Sequence, residues 1–273
     1  MKRFAVIGSP IAHSLSPIIH NFLFSYLGMK ASYEKIEIPQ SQLLQETFFS
    51  LDGANITLPY KEDAYRLCNK LEGMAQEIEA VNTIVREKDE LVGFNTDSLG
   101  FWKCVENLGV RNALVLGAGG SAKAISMILQ KMGVEVCVYA RNEARHPFFV
   151  QKKIKVFTQL ESQCYDLIVN ATSVGMSADK LPIQEDLLVS LLNKTDCLFD
   201  VVYPSSSMVK NIDDFKKFIL NRHETQLLSF AKRFPIQKID GLEMLLFQAL
   251  FAFEIFSKQN YSFEELKALF YNS

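Results

Sequence analysis

Several short stretches carry side chains suited to a small, anionic, hydroxyl-rich molecule. Ser14 and Ser16 stand two apart just before a helix. Asn55, Thr57 and Lys61 surround the end of a strand, and Asn82, Thr83, Asn95, Thr96 and Asp97 mark two further segment ends. Asn55 and Thr57, two apart, face one side of a strand. Pro59 sets a rigid turn that can aim Lys61. In a parallel sheet the carboxyl ends of strands line the ligand crevice. Each residue also has a local reading: Ser16 as a helix cap, and Asn or Asp before helices as ordinary caps.

A second kind of chemistry is written into Gly117-Ala118-Gly119-Gly120-Ser121-Ala122. Gly117 permits a tight strand-to-helix turn, and Gly119 lets the backbone approach a pyrophosphate. The following helix N-terminus offers N–H groups to an anion. An ordinary strand-to-helix turn is the alternative. The next strand ends in Ala140-Arg141-Asn142 with no acid to accept from a ribose hydroxyl. Arg141, helped by Arg145, suits a 2′-phosphate instead, so NADP is the expected cofactor, with a solvated arginine at a strand end as the alternative.

The elements that must position these groups follow from pattern. Short strands are expected at 4–7, 33–38 and 54–58, a hairpin at 83–87 and 90–94, and helices at 18–28, 41–49, 62–70, 74–80 and 97–108. Pro17 fits a first helical turn, with Ser16 as its cap. Strands at 112–116, 134–139, 156–157, 167–170 and 197–201, with a helix at 121–132, describe repeated βα units and a parallel sheet covered on both faces. A long apolar helix over 242–256 and a shorter one over 263–271 close the chain.

Composition bounds the function. The 273 residues suffice for two domains, and 48% apolar content can build a substantial core. Twenty-nine basic against 31 acidic residues give a formal charge of -2, which argues against a broad grip on nucleic acid. Five cysteines at wide spacings have neither metal-ligand nor disulfide pattern, and Cys137 and Cys164 read as buried thiols. The apolar run Phe4–Ile7 is too short for a signal peptide or membrane span. A soluble, cytoplasmic protein without metal is expected. His13 reads as a loop-shaping residue and His20 as structural; His146 and His223 read as remote from any motif.

In order along the chain, these stretches resemble the shikimate dehydrogenase family. Gly8-Ser9-Pro10-Ile11-Ala12-His13-Ser14-Leu15-Ser16-Pro17 is similar to its opening signature, and Asn55-Ile56-Thr57-Leu58-Pro59-Tyr60-Lys61 to its lysine motif. Ala80-Val81-Asn82-Thr83, Asn95-Thr96-Asp97-Ser98-Leu99-Gly100, Asn170 to Met176, and Asp240-Gly241-Leu242 with Met244 and Gln248 complete the pattern. The resemblance implies reversible reduction of 3-dehydroshikimate to shikimate with NADPH, a step towards aromatic amino acids. It implies Lys61 and Asp97 as the catalytic pair. Ser14 and Ser16 would bind the substrate carboxylate, Thr57, Asn82, Asp97 and Gln248 its hydroxyls, and Tyr203 would also face it. Gly117, Ala118, Gly119, Gly120, Ser121 and Ala122 would meet the pyrophosphate, and Ala140, Arg141, Asn142 and Arg145 the adenosine phosphate. Thr172, Ser173, Val201, Gly241 and Met244 would line the rest of the cofactor.

The implied fold is two α/β domains with a crevice between them. A substrate domain takes 1–100 and 238–273, and a Rossmann-like domain takes 101–237. Departures from the family pattern fall at Ala140 and Asn142, at the loop Pro204–Ser207, and at Glu243. A small-molecule substrate is the expected partner, with no nucleic acid or membrane; a homodimer is left open. A quinate/shikimate dehydrogenase and a non-catalytic dinucleotide-binding regulator are the rival functions.

Overall fold

The computed structural model describes residues 1–161, 163–175, 180–203, 208–221 and 224–271. Met176, the loop Pro204–Ser207 and His223, all singled out above, lie outside them. In chain order the first hundred residues form β1 (Lys2–Gly8), α1 (Ser16–Tyr26), β2 (Ala31–Glu37), α2 (Leu43–Phe48), β3 (Gly53–Ile56), α3 (Lys61–Leu67), β4 (Lys70–Leu71), α4 (Ala75–Ile78), β5 (Thr83–Glu87), β6 (Glu90–Phe94) and the start of α5 (Thr96–Val105). There follow β7 (Asn112–Leu116), α6 (Gly120–Lys131), β8 (Glu135–Tyr139), α7 (His146–Gln151), β9 (Lys155–Phe157), β10 (Tyr165–Asn170), α8 (Glu185–Leu192) and β11 (Thr195–Asp200). The chain ends in α9 (Ile212–Leu220), α10 (Gln226–Phe230), β12 (Gln237–Ile239), α11 (Gly241–Ser257) and α12 (Phe263–Tyr271).

The chain divides into two compact units, one of Met1–Gly100, Ser206–Asn221 and Leu245–Ser273, the other of Phe101–Ser205 and Arg222–Met244. It passes from one to the other within α5 and again within α11. Helix α9 groups with the first unit although its neighbours in sequence lie in the second. The cause is packing: Phe215 of α9 is fully buried with its ring 6.1 Å from that of Phe270 on α12.

The first unit holds a six-stranded sheet in the order β2-β1-β3-β5-β6-β4. Strands β2, β1 and β3 run parallel, whereas β5 is antiparallel to both β3 and β6. One face is filled by Ile7, Phe48, Ile56, Ala64 and Ile84, all buried. Strand β4 falls where helix was expected to continue to residue 70. Two residues make a strand only through a partner, and Lys70 and Leu71 pair with Val92 and Gly93 of β6. Ser16 is the first residue of α1 and not its cap; Leu15 holds the cap position without a side-chain hydrogen bond.

The second unit holds a six-stranded sheet whose strand pairs are all parallel, in the order β12-β11-β10-β7-β8-β9. Numbered from β7 this is the 3-2-1-4-5-6 order of a dinucleotide-binding sheet. Its buried strands are near-continuous apolar runs, as two covered faces require. The thiol at Cys137 is buried, but Cys164 is exposed because it precedes β10. Among the described residues no helix is long and apolar enough to cross a membrane.

Candidate active site

Strand β3 ends at Ile56, and the turn after it closes with Tyr60 N donating to Thr57 O at 3.0 Å. The Tyr60 hydroxyl anchors that turn on Ile38 O at 2.6 Å. Helix α3 therefore starts at Lys61 with its side chain turned inward, and the residue is 8% exposed. On the other side, the hairpin β5–β6 returns the chain to Asn95. Its side-chain oxygen accepts from Ser98 N at 3.2 Å, and its amide donates to Ala80 O at 2.8 Å. That cap opens α5 and sets Asp97 in the first turn, where the helix dipole favours a carboxylate.

The two charges meet. Lys61 Nζ lies 2.6 Å from Asp97 Oδ2, with both side chains 10% exposed. Asn82 Nδ2 donates to the other carboxylate oxygen, Oδ1, at 2.9 Å, and to Thr96 Oγ1 at 3.0 Å. Gln248, on α11, brings its Oε1 to 3.4 Å from both Asn82 Nδ2 and Thr96 Oγ1. This approach depends on Gly100: a Cβ there would stand 2.7 Å from the Gln248 backbone nitrogen. Only a residue without a side chain lets α5 and α11 come so close.

The network continues behind this group. Asn82 Oδ1 accepts from Thr96 N at 2.7 Å and from Thr83 Oγ1 at 3.1 Å. Asn55 Nδ2 donates to Thr83 Oγ1 at 2.9 Å, and the Tyr33 hydroxyl donates to Asn55 Oδ1 at 2.6 Å. Each amide is thereby held in one orientation, since its oxygen and nitrogen face groups of opposite kind. Burial pushes the Tyr33 phenol well up, while hydrogen bonds with Asn55 and Ser16 act the other way. Ser16 thus joins this line, and its N–H donates to Ser14 Oγ at 3.3 Å. His20 stacks on Tyr33 with ring centroids 4.4 Å apart, and burial drives its pKa down to about 3.

The second unit carries the glycine loop. Gly117 sits at φ +112°, and a Cβ there would come 3.1 Å from Ala171 O and Thr172 Cγ2, so β7 leaves the sheet hard against the end of β10. Gly119 is the N-cap of α6, with no side-chain hydrogen bond. This is a bare helix start beside a sheet switch point, the setting that receives a pyrophosphate. Beyond β8, Arg141, Asn142 and Arg145 are exposed. Asn142 Oδ1 accepts from Ala144 N at 3.0 Å and caps the turn Glu143–Arg145. His146 is not remote from this loop: its Nε2 lies 2.8 Å from Ala140 O and ties α7 to the strand end. Among the described residues no group of three His, Cys, Asp or Glu side chains could hold a metal.

Comparison with known proteins decides the family. Residues 6–84 match the model described as "Shikimate dehydrogenase substrate binding domain". The NADP(+) shikimate dehydrogenase of Helicobacter hepaticus is 38% identical over 265 residues, covering 95% of this chain and 92% of that protein. The chain belongs to the shikimate dehydrogenase family. An NADP(+) enzyme of Helicobacter pylori is also 38% identical, over 99% of both chains. The crystal structure of shikimate 5-dehydrogenase from Thermus thermophilus, in complex with NADP(H) and shikimate, superposes with a TM-score of 0.80 at 31% identity, covering 99% of this chain and 98% of that one.

Of the residues the shikimate dehydrogenase motifs single out, Lys61, Asn82, Asp97 and Gln248 share one hydrogen-bonded network within the first unit. Ser14 and Ser16 sit at the head of α1 and reach it through Tyr33. Thr57 is half-buried, and its backbone N–H bonds Ile7 O at 2.9 Å. Tyr203, Thr172, Ser173, Val201, Gly241 and Met244 belong to the second unit. Burial pushes the Tyr203 phenol up to about 12. Tyr33 was expected only as the start of a strand, not as a member of the site. Its role depends on the register that places β2, β1 and β3 side by side, which no local pattern announces.

Proposed function

We propose that this member of the shikimate dehydrogenase family catalyses the reversible, NADPH-dependent reduction of 3-dehydroshikimate to shikimate, with Lys61 and Asp97 as its catalytic residues. The buried contact of 2.6 Å between Lys61 and Asp97 carries the assignment. Burying an ion pair costs desolvation that its Coulomb attraction does not reliably repay, so stability alone is a poor reason to keep one. A proton donor held in place for a developing oxyanion is a good one.

NADPH, when bound, supplies the hydride. As negative charge grows on the substrate carbonyl oxygen, the Lys61 ammonium stabilises it and delivers a proton. In the oxidative direction Lys61 takes that proton back. Asp97 holds the ammonium through one carboxylate oxygen, while Asn82 holds the other and stops the carboxylate rotating. Ser14 and Ser16 take the substrate carboxylate. Thr57, Asn82, Asp97 and Gln248 take ring hydroxyls, and Tyr203 faces the substrate.

The second unit suits the cofactor. The loop Gly117 to Ala122 offers backbone N–H groups at the start of α6 for the pyrophosphate. Arg141 and Arg145 address the 2′-phosphate from the turn beyond β8, next to Ala140 and Asn142. Thr172, Ser173, Val201, Gly241 and Met244 line the remainder. A formal charge of -2 supports a small-molecule partner over nucleic acid, and widely spaced cysteines outside any disulfide support a reducing, cytoplasmic compartment.

Loss of NADPH absorbance on adding 3-dehydroshikimate tests the reading. A turnover that depends on both compounds is expected. Absence of turnover by a folded, NADPH-binding protein would remove the substrate assignment.

A further inference from the structure

Asp200 ends β11 and is 1% exposed, and none of the roles above falls to it. Its Oδ1 accepts from Asn170 Nδ2 at 2.8 Å and from Val202 N at 3.2 Å. Its Oδ2 accepts from Thr225 Oγ1 at 2.6 Å. Three donors converge on one buried carboxylate, which is how such a charge is tolerated away from water.

Each donor governs a different segment. Asn170 is the register partner of Asp200 at the end of β10. With its nitrogen committed to Asp200, its oxygen must face the other way, where it accepts from Thr172 Oγ1 at 2.7 Å and Thr172 N at 3.2 Å. Thr172 Oγ1 in turn accepts from Val174 N at 3.1 Å. Val202, held by Asp200, accepts through its carbonyl from Gly241 N at 3.3 Å. Thr225 caps α10 by accepting from Leu228 N at 3.2 Å.

We propose that Asp200 is a positioning residue for NADP(H): its carboxylate sets the Asn170 amide, and through it the Thr172–Ser173 turn, while fixing the Val201–Val202 backbone that receives Gly241. This rests on the reading that the second unit takes the cofactor. Burial raises the Asp200 pKa to about 6; the hydrogen bonds from Thr225, Asn170 and Val202 N lower it, and Asp240 raises it. The carboxylate is an acceptor for all three donors only when ionised. Asn at this position can keep its oxygen on Asn170 and Val202 N while its amide meets the Thr225 hydroxyl, which also accepts; Leu, of similar outline, accepts from none of them.

The test is direct titration of NADPH, followed by its own fluorescence, against wild type, D200L and D200N. D200L keeps the side-chain outline but accepts from none of the three donors, and is expected to bind NADPH about tenfold more weakly, as the loss of a hydrogen bond to a charged group implies. D200N keeps its oxygen on Asn170 and Val202 N and turns its amide to the Thr225 hydroxyl, and is expected to recover most of the loss. Rescue by Asn and not by Leu separates positioning from a mere loss of packing. Binding by folded D200L within twofold of wild type overturns the proposal, as does a folded D200N that binds as weakly as D200L. If D200L does not fold, N170A carries the test: it leaves Asp200 with Thr225 and Val202 and cuts the link to Thr172. The same tenfold loss is then expected, and wild-type binding overturns the proposal. Wild type that binds no NADPH refutes the cofactor reading instead.

Discussion

Lys61 and Asp97, 36 residues apart in the chain, meet at 2.6 Å in a site where each side chain is 10% exposed. The contact needs a turn after β3 that aims Lys61 and an Asn95 cap that starts α5 one residue before Asp97. Lys61→Ala removes the proposed proton donor and leaves Asp97 without its ammonium. A loss in kcat of roughly a hundredfold or more is expected, about 3 kcal/mol of transition-state stabilisation. The KM for 3-dehydroshikimate should change far less. Steady-state kinetics in the reductive direction check this, and a change confined to KM would reduce Lys61 to a binding group.

Gly100→Ala tests whether the approach of α5 to α11 matters. The added Cβ would stand 2.7 Å from the Gln248 nitrogen and 2.9 Å from its Cβ. Relief requires moving backbone, so a destabilisation of roughly 1–3 kcal/mol is expected in thermal or denaturant unfolding. The displaced Gln248 should also raise the KM for shikimate. Unchanged stability would mean that the two helices adjust freely.

Arg141→Ala should erode the preference for NADPH over NADH by about tenfold or more if the guanidinium takes the 2′-phosphate as proposed, since NADH lacks that group. The ratio of kcat/KM values for the two cofactors reads this directly. A full retained preference would move selectivity elsewhere, with Arg145 the next residue to replace.

His20 makes stability depend on acid. Its folded pKa of about 3 lies below the ordinary 6.5, because burial penalises the imidazolium. Between those values the unfolded chain binds the extra proton, so the His20 contribution is complete above pH 6.5 and is lost as pH falls towards 3. The slope from this one group is at most about 1.4 kcal/mol per pH unit. His20→Phe keeps a ring against Tyr33 and removes the titration. Its melting temperature should fall less steeply than that of wild type between about pH 7 and pH 4; parallel curves would show that His20 titrates normally in the folded chain.

Much of the fold was legible locally. The hairpin of β5 and β6, strand β7 and helix α12 lie at the residues that alternation and helical periodicity assign to them. β4 and β12 were not, because strands of two and three residues exist only through their partners β6 and β11. The site divides in the same way. Lys61, Asp97, Asn82 and Gln248 stand in motifs that a sequence displays. Tyr33 and Asp200 act through pairings across strands or between distant segments, such as Asn170 with Asp200, and register is invisible until the sheet is built. His146 likewise reaches Ala140 by a turn whose geometry no spacing rule specifies.

The most direct test of a catalytic Lys61–Asp97 unit is a double-mutant cycle on kcat for the reduction of 3-dehydroshikimate, using wild type, Lys61→Ala, Asp97→Asn and the double variant. Groups that act together lose most of their effect with the first substitution. The double variant should therefore be little slower than the slower single one. Losses that multiply, with all four proteins folded and binding NADPH, would contradict a shared role for the two residues.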